Sequence, residues 1–147
     1  MSRVERSALV RASAARMYAL VNDVDAYPRR FDWCEGAAVL QHEPDLMVVR
    51  LSVRFGGLRL SFTTRNALVP DSRVSLALVD GPFRRLSGAW RFAALAEDAC
   101  KVSRLLDFDV AGRLVGGALA SGFRGLADRM VDDFVRAARE NGGDGGH

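Results

Sequence analysis

From Trp33 to Val110 the apolar signal has a period of two, read residue by residue from Met47 onward, and from Val115 onward the apolar residues recur at every third or fourth position. A period of two marks a strand with one buried face, and a period near 3.6 marks a helix with one buried stripe. This switch constrains the chain more than its composition does. A series of half-buried strands followed by one long amphipathic helix must cover each other's apolar faces, and the result is a two-layer α+β domain.

The strands can be read in register. Met47, Val49, Leu51, Val53 and Phe55 share one face, and Arg50, Ser52 and Arg54 share the other. Gly56-Gly57 supplies a two-residue hairpin turn. Closing that turn sets Phe55 opposite Leu58, Val53 opposite Leu60 and Leu51 opposite Phe62, so the apolar face continues across the hairpin. Arg54 then falls opposite Arg59 on the outer face. Pro70-Asp71-Ser72, Gly81-Pro82 and Glu97-Asp98 mark further turns. Between them alternate Val74, Leu76 and Leu78, then Leu86, Gly88, Trp90 and Phe92, then Val102, Arg104, Leu106, Phe108 and Val110. Strands joined by tight turns predict an antiparallel meander. Gly88 in mid-strand permits a bend that leaves space between sheet and helix.

Upstream, Val4 to Val10 alternates as a first strand. Ser13 stands as an N-cap before AARMYALVND, whose apolar stripe is Met17, Leu20, Val21 and Val24. Pro28 forbids helix through Tyr27, so DAYPRRFDW is read as a turn or short second helix. Downstream, Val115, Leu119, Phe123, Leu126, Met130 and Phe134 form the helical stripe, widened by Ala127, Val131, Val135 and Ala138. One domain over residues 1–141 is expected, with GGDGGH at 142–147 as a flexible tail.

Catalytic equipment is sparse. His42 and His147 are the two histidines, and with Cys34 and Cys100 they give no metal-ligand spacing. No nucleophile elbow and no phosphate-binding glycine loop occurs. Asp107/Asp109 and Asp132/Asp133 read as solvated charges. The expectation is a protein that is not an enzyme, with no required cofactor, no metal and two reduced thiols. There is no apolar run of about 18 residues and no apolar stretch of signal-peptide length near the start. A cytoplasmic protein is expected, at most peripheral to the inner membrane face.

Two features remain. The first is the aromatic set at turns and on the sheet, which suits an apolar small-molecule cavity. The second is RLVGGALASGF, where Gly116, Gly117 and Gly122 lower helix propensity at a cost of about 1 kcal/mol each. They are candidates for a gate over the cavity mouth.

YPRRFDWC, Tyr27 to Cys34, and GPFRRLSGAWRF, Gly81 to Phe92, resemble segments of the coenzyme Q-binding START-like family in the polyketide cyclase/dehydrase superfamily. The opening SAARMYALVNDV and the terminal helix fit the same pattern. The chain departs from it in having Asp32 alone between Phe31 and Trp33, where family members have Leu-Pro. The resemblance implies a helix-grip fold: a curved antiparallel sheet around a long C-terminal helix, with a hydrophobic cavity. It implies non-enzymatic binding and delivery of ubiquinone or a similar polyisoprenoid lipid in support of respiration, with transient contact at a membrane surface. The residues expected to line the cavity are Trp33, Phe55, Phe62, Phe83, Trp90, Phe123 and Met130.

A second implied reading is a toxin that binds the large ribosomal subunit and blocks subunit association. The outward arginines Arg50, Arg54, Arg59, Arg65, Arg84 and Arg85 would make that contact, in a chain of net charge +3 with Lys101 its one lysine. A cyclase-like enzyme is the third reading. DNA is not an expected partner.

Overall fold

A computed structural model of the protein describes residues 2–111 and 116–145. In chain order the elements are strand β1 (Ser2–Val10), helix α1 (Ala14–Asn22), a 3-10 turn (Val24–Ala26), helix α2 (Tyr27–Arg30), then β2 (Cys34–Glu43), β3 (Leu46–Phe55), β4 (Leu58–Val69), β5 (Arg73–Asp80), β6 (Phe83–Ala96), β7 (Ala99–Val110) and helix α3 (Gly116–Gly145).

The strands form one antiparallel sheet in the order β1-β7-β6-β5-β4-β3-β2. From β2 to β7 every neighbour in sequence is a neighbour in space, as tight turns dictate. β1 closes the far edge by pairing with β7, Val4 against Leu106 and Val10 against Cys100. The chain must therefore cross from one sheet edge to the other between β1 and β2, and α1, the 3-10 turn and α2 make that crossing. The Ser13 side chain accepts a hydrogen bond from the Arg16 amide at 3.0 Å and starts α1 as an N-cap should. Met17, Leu20, Val21 and Val24 are buried.

The β3–β4 hairpin has the register expected: Phe55 faces Leu58, Val53 faces Leu60, Leu51 faces Phe62 and Arg54 faces Arg59. Gly56 and Gly57 have φ of +55° and +80°, the left-handed pair that a tight hairpin needs and that side chains resist. Strand β2 does not keep the period of two expected beyond Trp33. It is an edge strand, mostly exposed, and its pairing with β3 slips between Cys34 and Gly36 and again between Val39 and Gln41. Each bulge shifts the alternation by one residue and erases the signal.

Gly88 has a different role from the expected bend. A Cβ there would press on the Leu105 carbonyl of β7 and stand 3.2 Å from the Leu106 Cα. The glycine lets β6 and β7 approach closely. The last helix also differs in extent: it is continuous to Gly145, past residue 141, because each residue added to an existing helix gains a backbone hydrogen bond. Its buried stripe is Leu119, Phe123, Leu126, Ala127, Met130, Val131, Phe134, Val135, Ala137 and Ala138. Val115 lies outside the described residues. No helix among the described residues is long and apolar enough to cross a membrane.

Candidate functional site

The inner face of the sheet and the stripe of α3 do not close on each other completely. Between them lies a cavity of about 70 Å³. Its walls come from α1 and the following turn (Val21, Asn22, Val24), from α2 (Tyr27), from the strands and from α3 (Phe123, Met130, Phe134). Five of the seven residues expected to line it do so: Trp33, Phe62, Trp90, Phe123 and Met130. Phe83 and Phe55 do not. Phe83 is core, edge-on to Phe62 at 5.7 Å and to Phe123 at 5.1 Å between ring centroids. Phe55 sits at the rim beside the hairpin turn, half-buried, where it borders a shallow surface hollow with Asp32, Trp33, Arg54, Arg59 and Arg129. Phe55 shares the inward parity of its strand, and Phe83 is brought inward by the bulge between Phe83 and Arg85, but facing inward does not say how far along the sheet the cavity reaches.

The aromatic packing is centred on Phe134, whose ring lies 4.6 Å from Phe31, 5.1 Å from Trp90 and 5.4 Å from Tyr27. Phe31 stacks on Trp33 at 4.9 Å. The Trp33 indole N–H donates to Asp133 Oδ2 at 3.1 Å, and Arg136 holds the other oxygen of that carboxylate at 2.6 Å. Asp32, the residue that departs from the family pattern, is exposed. Its carbonyl accepts from Arg54 Nε at 2.9 Å and its carboxylate meets Arg129 at 3.5 Å. The Tyr27 hydroxyl donates to the Val21 carbonyl, and burial pushes its ionisation well above the ordinary phenol range.

The sequence reading did not single out the polar members of this cavity. Asn22, Thr64, Asn66 and Arg104 also line it. The Thr64 hydroxyl donates to Asn66 Oδ1 at 2.9 Å. Arg104 is 7% exposed, donates through Nη1 to the Ala127 carbonyl of α3 at 3.0 Å, and carries its guanidinium 5.3 Å from the Trp90 ring centroid. Desolvation lowers its pKa to about 10, partly opposed by Tyr27, so it is still a cation at neutral pH. The signal was present: Arg104 alternates in phase with Val102, Leu106 and Phe108, and strand parity assigns a residue to a face whatever its charge.

The gate glycines separate. A Cβ on Gly122 would stand 2.7 Å from Phe55 Cε2, so that glycine is explained by close packing of helix on strand. Gly117 faces open space. Gly116 begins the helix, and the segment just before it, residues 112–115, lies outside the described residues.

On the outer face, Arg50, Arg54, Arg59, Arg65, Arg84 and Arg85 are all exposed. Glu35 meets Arg59 at 3.1 Å and Arg54 at 3.9 Å, and Arg84 meets Asp109 at 4.0 Å. Arg50 and Arg65 form no ion pair among the described residues. Arg50 pairs with Thr63, two positions from Arg65, so these two guanidinium groups are diagonal neighbours on one face. No cluster of histidine, cysteine and carboxylate fit for a metal occurs among the described residues.

A seven-stranded antiparallel sheet closed on a long C-terminal helix, with an apolar cavity between, defines the helix-grip class. The fold superimposes on the ZhuI aromatase/cyclase of a Streptomyces species with a TM-score of 0.82, covering 94% of this chain and 93% of that one at 23% identity. The chain belongs to the polyketide cyclase/dehydrase and lipid transport family, whose model matches residues 10–135. Within it, the chain is 43% identical over 137 residues to ribosome association toxin RatA of Pseudomonas aeruginosa, spanning 93% of this chain and 95% of the relative. It is 40% identical over 140 residues to persistence and stress-resistance toxin PasT of Escherichia coli, spanning 95% and 89%. The resemblance carried by YPRRFDWC and GPFRRLSGAWRF therefore holds at the level of this superfamily.

Proposed function

We propose that this protein is a ribosome-associating toxin that docks on the large subunit through the basic outer face of its sheet and hinders subunit association. The observation that carries the reading is 43% identity, over nearly the whole length of both chains, to a protein named for ribosome association. The arginine face supports it, because ribosomal RNA presents a dense array of phosphates and guanidinium groups bind phosphate with paired donors. Arg50 and Arg65 are the strongest candidates for the contact. Arg54 and Arg59 must first leave Glu35, so part of any gain is offset by a broken pair.

Quinone delivery is the weaker reading on geometry. A cavity of about 70 Å³ is several-fold smaller than the roughly 300–1,000 Å³ usual for small-molecule sites. A polyisoprenoid tail would need the aromatic cluster around Phe134 to open.

The test is co-sedimentation of the protein with purified large ribosomal subunits over a series of salt concentrations. Binding should weaken steeply with salt. Arg50→Gln with Arg65→Gln should flatten the slope by about 0.7–0.9 per lost phosphate contact. Arg54→Gln with Arg59→Gln should do less. Failure of the parent protein to co-sediment at low salt would overturn the reading.

A further inference from the structure

We propose that the cavity beneath α3 binds a small carboxylate with an apolar body, held at its charged end by Arg104. Arg104 stands on the inner face of β7 with Val102 and Leu106 on either side, and all three are buried. It has no carboxylate within ion-pair reach among the described residues. Its Nη1 is satisfied by the Ala127 carbonyl, but its Nε, also buried, has no hydrogen-bond partner among the described residues. A buried cation without a counter-ion is among the most expensive arrangements a core can hold. The Trp90 ring offsets part of that cost through its quadrupole, and a neutral carbonyl offsets another part. Neither supplies the negative charge that a guanidinium binds best.

The rest of the cavity suits such a guest. Two further polar groups line it: Thr64 donates to Asn66 Oδ1, which leaves the Asn66 amide protons for another acceptor. Phe62, Leu106, Phe123 and Met130 add apolar wall. Apolar walls with a few placed polar groups are the usual design of a small-molecule site. At about 70 Å³ the space takes a carboxylate on a short chain directly, and a ring after side-chain adjustment. This site is on the inner face, so it is independent of the arginines proposed to meet the ribosome.

The chain contains two tryptophans, and both Trp33 and Trp90 line the cavity. Intrinsic fluorescence therefore reports this site, and because Trp33 also borders the surface hollow with Arg54, Arg59 and Arg129, the Arg104 variants below decide which part of the signal comes from the cavity. The experiment titrates the full-length protein with acetate, butyrate and benzoate at constant ionic strength, with butanol and benzyl alcohol as neutral counterparts. Saturable fluorescence changes are expected with the acids at lower concentration than with the alcohols. Arg104→Met, which keeps shape and removes charge, should weaken the acids about tenfold or more and leave the alcohols unchanged. Its melting temperature should be equal to or above that of the parent, since it relieves an uncompensated charge. If Arg104→Met does not fold, Arg104→Lys replaces it. That variant keeps the charge and loses the planar fork, and weakened acid binding with unchanged alcohol binding is again expected. The proposal is overturned if no acid saturates, if acids and alcohols bind alike, or if the folded Arg104 variant binds the acids as the parent does.

Discussion

At the scale of single residues, the backbone of β7 presses against Gly88 of β6 and leaves no space for a Cβ. Gly88→Ala should therefore destabilise the fold by about 1–3 kcal/mol, the usual range for overpacking, measured by urea denaturation. An unchanged midpoint would show that β6 can move away from β7. The position of Gly88 in mid-strand was evident in the sequence, while its cause was not. Parity placed Val53, Leu60, Trp90 and Leu106 inward, and all are buried. The same parity covered Arg104, yet its meaning depended on what stood across from it on α3, and that is a tertiary fact. The thiols give a pH prediction. Burial pushes both Cys34 and Cys100 above the ordinary thiol value. The folded state thus disfavours the thiolate, and this contribution to stability is complete below the unfolded thiol pKa of about 8.5 and is lost as pH rises through the folded values. The urea midpoint should fall between pH 8 and pH 10 more steeply in the parent than in Cys34→Ala with Cys100→Ala. Iodoacetamide at pH 7.5 should label neither thiol in the native protein.

At the scale of elements, what could be read was whatever had a regular period. The β3–β4 hairpin was legible to the residue because Gly56-Gly57 fixes its turn and both arms alternate cleanly. Strand β2 was not legible, because an exposed edge strand with two bulges carries no period to find. Helix α3 was legible as a stripe, but its glycines were not separable in sequence. The structure divides them, and the division can be tested. Gly117→Ala adds a methyl group to open space and should stabilise the helix by about 0.5–1 kcal/mol. Gly122→Ala drives the same methyl group into the Phe55 ring and should destabilise, unless Phe55 swings off the rim. Thermal melts of the two variants should shift in opposite directions. A shift of the same sign would mean that Phe55 yields freely and that Gly122 belongs with Gly117 as a weak point of the helix start.

At the scale of the whole molecule, the closure of β1 on β7 and the crossing made by α1 and α2 put both ends of the sheet under one helix. The buried residues of all these elements form a single cluster. Phe134 is where they meet: it touches Tyr27 of α2, Phe31 beyond it and Trp90 of β6, all from α3. Removing that ring leaves a void bounded by elements from both halves of the chain, and rigid strands cannot collapse into it. Phe134→Ala should cost about 3–5 kcal/mol, at the upper end of core truncations. Because the cluster is continuous, the loss should act on one cooperative transition, with tryptophan fluorescence and far-ultraviolet circular dichroism giving the same midpoint in parent and variant. Phe55→Ala, at the half-buried rim, should cost clearly less. Coincident transitions with a small Phe134→Ala effect would mean that the cavity region is already loosely packed, and a pocket able to open for a larger ligand would then gain support. Non-coincident transitions, with fluorescence lost first, would place Trp33 and Trp90 in a unit that unfolds apart from α3, and the picture of a sheet locked to its helix through Phe134 would fall.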